Sequence, residues 1–167
     1  MPSPPQPDAT FNGPGSPINK KYAQAATDVR TEEQEQAVMT NIKRNILIHW
    51  ALMPPQLNML KPIDQLITTI HKCFPPAFNV QSHVYFNKWT PLTQGEIALS
   101  NNVMSNSPDE EKLKKAVKKI RFFLHPDKLP KDLQPEQEFM CKMLWDVTSD
   151  AWEDFRKQKE ELDWIRG

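Results

Sequence analysis

"LKKAVKKIRFFLHPDK", residues 113–128, is the stretch on which the fold turns. Leu113, Ala116, Val117, Ile120, Phe123 and Leu124 recur at helical intervals and form one apolar stripe. Lys114, Lys115, Lys118, Lys119 and Arg121 cover the remaining surface. A helix of this pattern buries one side and leaves the other in water. Pro126 ends it, because the residue before a proline is biased away from helical angles. Upstream, "SPDE" at 107–110 reads as its start, with Ser107 as N-cap, Pro108 at the first helical position and Glu110 completing a capping box.

The partner for that apolar stripe lies downstream. Pro135 opens a second helix with Glu136 and Glu138 in its first turn. Met140, Met143, Leu144, Val147 and Ala151 form its inner row, widened by Trp145, Trp152 and Phe155. The short polar connection between them, from His125 to Gln134, lets the two helices fold back as an antiparallel hairpin. Trp152 is expected to be buried against the face carrying Val117, Ile120 and Phe123. The His-Pro-Asp triplet then sits at the hairpin tip, on the kind of surface loop where recognition residues concentrate.

Upstream of 107 the chain reads as more helix. Residues 1–19 hold six prolines and two glycines and are expected to form a disordered arm, which as a proline-rich tail is also able to serve a proline-reading domain. Val38, Ile42, Ile46 and Trp50 mark a helix over about 31–52, ended by Pro54-Pro55. Ile63, Leu66, Ile67, Ile70 and Phe74 mark another that opens at Pro62 and stops at Pro75-Pro76. "FNVQSHVYFNKW", residues 78–89, alternates loosely and reads as a short strand or, in preference, an extended packing segment. The expected division is an arm at 1–19, a helical region at 20–90 and a hairpin-bearing domain at 91–167.

Composition narrows the function. The chain has 21 basic and 21 acidic side chains, so net charge points to no anionic partner. Their distribution is uneven: residues 107–131 carry a net +4 and residues 132–167 a net −5. A charged docking face or two solvated helix faces both produce such blocks. A nucleic-acid partner is not expected from a neutral chain with an acidic neighbour to its basic helix. Two cysteines, Cys73 and Cys141, lie in apolar helical patterns and fit a reduced compartment rather than a disulfide framework. The start is polar and unlike a secretory signal, and the apolar run at 45–60 is too short and broken to span a bilayer. An intracellular, cytoplasmic protein without a membrane partner is expected. His71, Cys73 and His83 match no closed zinc set, and no phosphate loop, nucleophile elbow or paired carboxylates stand out. Neither a metal, a cofactor nor an enzymatic activity is expected.

The stretch at 113–128 resembles the second helix and signature loop of a J-domain, the module of DnaJ-type co-chaperones. "SDAWEDF", residues 149–155, resembles its third helix, with Trp152 in the manner of the auxilin-like branch. The resemblance spans residues 107–158, about a third of the chain. It departs from the family at the first helix, where only "TQGEIAL" is available, with Thr93 and Glu96 as a capping box, and at the loop, which lacks an asparagine after Lys128. Without a Gly/Phe-rich region or zinc repeats, the likeness is to the minimal, third class. The fold implied is all-α: a J-domain-like antiparallel helical hairpin with additional N-terminal helices.

The resemblance implies a partner, the seventy-kilodalton heat-shock (DnaK-type) chaperone, whose ATP hydrolysis a J-domain stimulates. Asp127 would engage an arginine of the chaperone's nucleotide-binding domain, with His125 and Pro126 shaping the loop and touching the same surface. Lys114, Lys118, Lys119 and Lys128 would meet acidic groups. The residues alone also admit a plainer reading, in which His125 caps a helix end, Pro126 stops it and Asp127 forms a turn. The other functional reading is a J-like structural or assembly module without chaperone activity. In either case clients or complex subunits would meet the N-terminal region.

Overall fold

The computed structural model describes residues 17–99 and 108–167, with side chains from Glu32 onward. The chain divides into two units, residues 1–40 and 41–167. Among the described residues the structure is all-α, without a strand. The helices are α1 (Pro17–Ile46), α2 (Ile63–Thr69), α3 (Gln94–Ile97), α4 (Glu110–Leu124) and α5 (Pro135–Arg166). None of them is long and apolar enough to cross a membrane.

In the first unit the described structure is the N-terminal part of α1, which begins at Pro17, within the stretch read as an arm. Its residues 32–38 are exposed, Val38 among them, so the apolar stripe starts one turn later than its spacing suggests. In the second unit Ile42 and Ile46 are buried, and the chain widens into a single π turn at Leu47–Ala51. The Trp50 indole N–H donates to Thr69 Oγ1 at 2.9 Å, fixing this turn to α2. A short loop returns through an antiparallel bridge between Leu52 and Leu60, and α2 follows with Ile63, Leu66 and Ile67 buried, its row continued by buried Ile70 in a 3-10 turn at Ile70–Cys73.

One apolar core runs through residues 41–167. It joins Ile42, Ile46 and the α2 row to Phe74, Val80, Phe86 and Trp89, and to the inner rows of α4 and α5. Residue 91 therefore does not mark a change of core. All six apolar positions expected of α4 are buried. Its start differs from the expected one. Asp109 is the N-cap, its carboxylate accepting from the Glu111 and Lys112 N–H groups at 2.9 and 3.2 Å. Pro108 is paired with Ala98 in an isolated bridge, and the Asp109 N–H donates to Ile97 O, so the chain is still extended there. Ser107 lies outside the described residues. The 78–89 segment is not a strand; it turns through left-handed Phe78 and Asn79 and a 3-10 turn at Val84–Lys88.

α4 and α5 are antiparallel. Glu110, at the start of α4, pairs with Lys159 late in α5 at 2.9 Å, while Arg121 near the end of α4 lies over Trp145. On α5 the buried row is Met140, Cys141, Leu144, Val147, Thr148 and Ala151. Burial pushes the Cys73 and Cys141 thiols up to about 12, so both stay protonated and pack as small apolar groups. Trp152 does not occupy the place expected of it. Ala151 continues the inner row, and Trp152, one position round the helix, is half-buried and stacked on Phe155 at 5.5 Å. Phe123 is enclosed instead by Phe74, Tyr85, Phe86 and Trp89.

This ordering of α5 is testable by urea unfolding. Leu144→Ala, which empties a fully buried site, should cost about 2–5 kcal/mol. Trp164 is 84% exposed, and its replacement by Ala should fall within about 0.5 kcal/mol of wild type. Trp152→Ala should lie between them; a loss as large as that of Leu144→Ala would contradict its half-buried placement.

Candidate functional site

The His-Pro-Asp loop forms where α4 runs out of helical partners. His125 takes extended angles (φ −63°, ψ 132°), as a residue before proline must, while its N–H still donates to Phe122 O. Its carbonyl accepts from the Lys128 and Leu129 N–H groups at 2.8 and 3.1 Å, closing a tight turn over Pro126 and Asp127. Inside that turn His125 Nδ1 accepts the Asp127 N–H at 3.1 Å. A nitrogen that accepts carries no proton, so this bond belongs to the neutral imidazole protonated on Nε2. The Asp127 carboxylate lies 3.8 Å from the same nitrogen, too far for a hydrogen bond. His125 is thus occupied in shaping the loop, and its ring also meets Trp145 edge-on at 5.5 Å. Asp127 is 88% exposed.

The basic residues are not equivalent. Lys114, Lys115 and Lys118 stand exposed on α4, Lys114 and Lys118 one turn apart. Three others lean on aromatic faces: Lys119 over Trp89 at 5.3 Å, Arg121 over Trp145 at 5.0 Å and Lys128 over Phe122 at 4.9 Å. Exposed cation–π contacts of this kind are worth about 0.5–1 kcal/mol each, enough to bias a flexible side chain without removing its charge from solvent. The structure therefore gathers His125, Pro126, Asp127 and Lys128 at the tip. It strings Lys114 and Lys118 along α4 and turns Lys119 toward the 78–89 segment.

That segment supplies site residues the sequence reading did not single out. The Tyr85 hydroxyl donates to Phe123 O at 2.7 Å, satisfying a carbonyl in the last turn of α4, and its ring stacks on Phe123 at 4.6 Å. Burial, followed by the nearby Cys141, raises the Tyr85 phenol above its ordinary value, which keeps it a donor. His83 Nδ1 accepts the Tyr85 N–H at 3.0 Å, leaving Nε2 to donate to Asp132 Oδ1 at 3.1 Å. Gln137, buried in the first turn of α5, accepts the Gln134 N–H on Oε1 at 2.7 Å and donates through Nε2 to Gln81 O at 2.6 Å. The density of aromatics at 78–89 and the open carbonyls at the end of α4 were the available signals.

Among the described residues no three His, Cys, Asp or Glu side chains come together as a metal-ligand set. The site offers a shaped loop, an exposed carboxylate and dispersed cations, which are means of recognition. Set against protein-family models, curated proteins and solved structures, the chain has no match.

Gln137 is the polar residue on which both the loop's end and α5's start depend. Gln137→Ala leaves the Gln134 N–H and the Gln81 carbonyl without this partner and should cost about 1–3 kcal/mol in urea unfolding. A loss below about 0.5 kcal/mol would mean that water replaces both bonds at no cost.

Proposed function

We propose that this protein is a J-domain-type co-chaperone that stimulates ATP hydrolysis by a DnaK-type, seventy-kilodalton heat-shock chaperone. The observation that carries this reading is the exposed His-Pro-Asp turn at the tip of an antiparallel pair whose first helix is basic. Asp127 presents the carboxylate that a chaperone arginine would meet. His125 and Pro126 hold its backbone, and Lys114 and Lys118, with Lys119 and Lys128 beside them, face acidic groups. The chain itself performs no chemistry. It shifts the chaperone by binding preferentially to the arrangement that cleaves ATP. Its two free, buried thiols suit the reducing cytoplasm of a cell.

A second reading is favoured by α3. Where a J-domain resemblance would place a first helix, the chain has a single turn, Gln94–Ile97, capped by Thr93. α2 packs on both α4 and α5 instead. A hairpin buttressed in this way also suits a structural subunit that keeps the triplet but drives no ATPase cycle.

Single-turnover ATP hydrolysis by a DnaK-type chaperone, with and without the full chain, separates the two readings. Stimulation by wild type should vanish in His125→Gln, which should stay folded and lose no more than the lost Nδ1 bond accounts for, about 0.5–1.5 kcal/mol. Equal stimulation by both proteins would refute the co-chaperone reading.

Charge gives an independent check. Reversal of Lys114, Lys118 and Lys119 to Glu should slow association with the chaperone about tenfold or more at low salt and flatten its salt dependence. Unchanged association at low salt would mean that these lysines are only a solvated surface.

A further inference from the structure

Three contacts from one segment reach the two ends of the His-Pro-Asp loop. At the α4 end, the Tyr85 hydroxyl holds Phe123 O, two residues before His125. Toward the other end, His83 holds Asp132, and Gln137 at the start of α5 holds the Gln81 carbonyl. The three residues of the segment lie within 81–85, and the positions they grip, 123, 132 and 137, bracket the loop. Internal order ties the segment together: the His83 imidazole accepts the Tyr85 N–H on Nδ1 and donates its Nε2–H to Asp132, so a single tautomer serves both bonds. Behind it, Val80, Phe86 and Trp89 are buried in the core, which makes the segment a fixed anchor.

We infer that residues 81–85 are a brace that sets the shape of the His-Pro-Asp loop, with Tyr85 as a positioning residue for chaperone recognition. This rests on the co-chaperone reading only for its consequence in binding; the brace itself is a property of the free protein. Recognition by a preformed loop avoids ordering that loop on binding, so loosening the brace weakens binding without touching any recognition residue. The hairpin at 107–158 therefore lacks part of what shapes its own tip.

Tyr85→Phe is the decisive variant, because it keeps the ring stacked on Phe123 and removes only the hydroxyl. Asp132→Ala opens the other tie at a position 80% exposed. Thr69→Val is the control, since it removes a comparable bond to Trp50 rather than to the loop. Hydrogen exchange in the free, full chain should show the Asp127, Lys128 and Leu129 amides exchanging about fivefold faster in Tyr85→Phe, the equivalent of one lost hydrogen bond. Asp132→Ala should act in the same direction, and Thr69→Val should leave these amides unchanged. In ATPase titrations Tyr85→Phe should raise the half-saturating concentration about fivefold while leaving maximal stimulation intact. Unchanged loop exchange in Tyr85→Phe would overturn the brace. Faster exchange with an unchanged half-saturating concentration would overturn the positioning role. If wild type stimulates no chaperone, the co-chaperone reading falls, and exchange at 127–129 still decides whether the brace exists.

Discussion

Phe123 is gripped twice, and the rest of the site depends on that grip. Its ring is surrounded by Phe74, Tyr85, Phe86 and Trp89, with centroids between 4.6 and 6.3 Å away. Its carbonyl accepts the Tyr85 hydroxyl at 2.7 Å. The first contact set is apolar and gives the end of α4 its place; offset and tilted aromatic pairs add about 0.5–1.5 kcal/mol each beyond simple burial. The second is polar and directional. The last carbonyls of a helix have no partner within it, and here one of them is taken by a half-buried side chain packed against the core. Leu124 is buried immediately after, so the chain enters His125 from a defined position and direction.

What the sequence makes legible follows from how local the governing physics is. The six apolar residues of α4 are all buried because their spacing alone dictates one face, and Pro126 ends the helix through a clash confined to its neighbour. The five apolar residues expected of the helix opening at Pro62, from Ile63 to Phe74, are buried too, although α2 itself stops at Thr69 and a 3-10 turn at Ile70–Cys73 carries the row on. Failures begin where a distant contact chooses among local options. Ser107 and Asp109 are both sound caps by residue type; the bridge from Pro108 to Ala98 and the bond from the Asp109 N–H to Ile97 O select Asp109. Trp152 and Ala151 are adjacent on α5, and both are expected to face into the hairpin. Only Ala151 does so fully, and Trp152 stacks on Phe155 at the edge.

At the site the same division appears. The triplet and the lysines are readable as types, because charge and loop chemistry are properties of single residues. The lysines' partners are not. Lys119 and Arg121 are drawn over indoles from opposite sides of the sequence, Trp89 before α4 and Trp145 after it, and no periodicity within α4 indicates this. Tyr85, His83 and Gln137 were hidden more deeply. Each acts on a group 38, 49 or 56 residues away, through a bond whose acceptor or donor only the folded chain brings within reach.

His125 and His83 use one device in two places. Each imidazole accepts on Nδ1 the backbone N–H of the residue two further on, at 3.1 and 3.0 Å, and so each is held as the neutral tautomer with its proton on Nε2. The two rings differ in what meets their other side. For His83 the remaining nitrogen, Nε2, is taken by Asp132 Oδ1 at 3.1 Å, a residue near the far end of the connection between α4 and α5. For His125 the further contact is the Trp145 ring on α5, met edge-on at 5.5 Å. Each imidazole therefore closes a short backbone turn through Nδ1 and ties that turn to a distant part of the chain, His83 by a hydrogen bond and His125 by an aromatic contact.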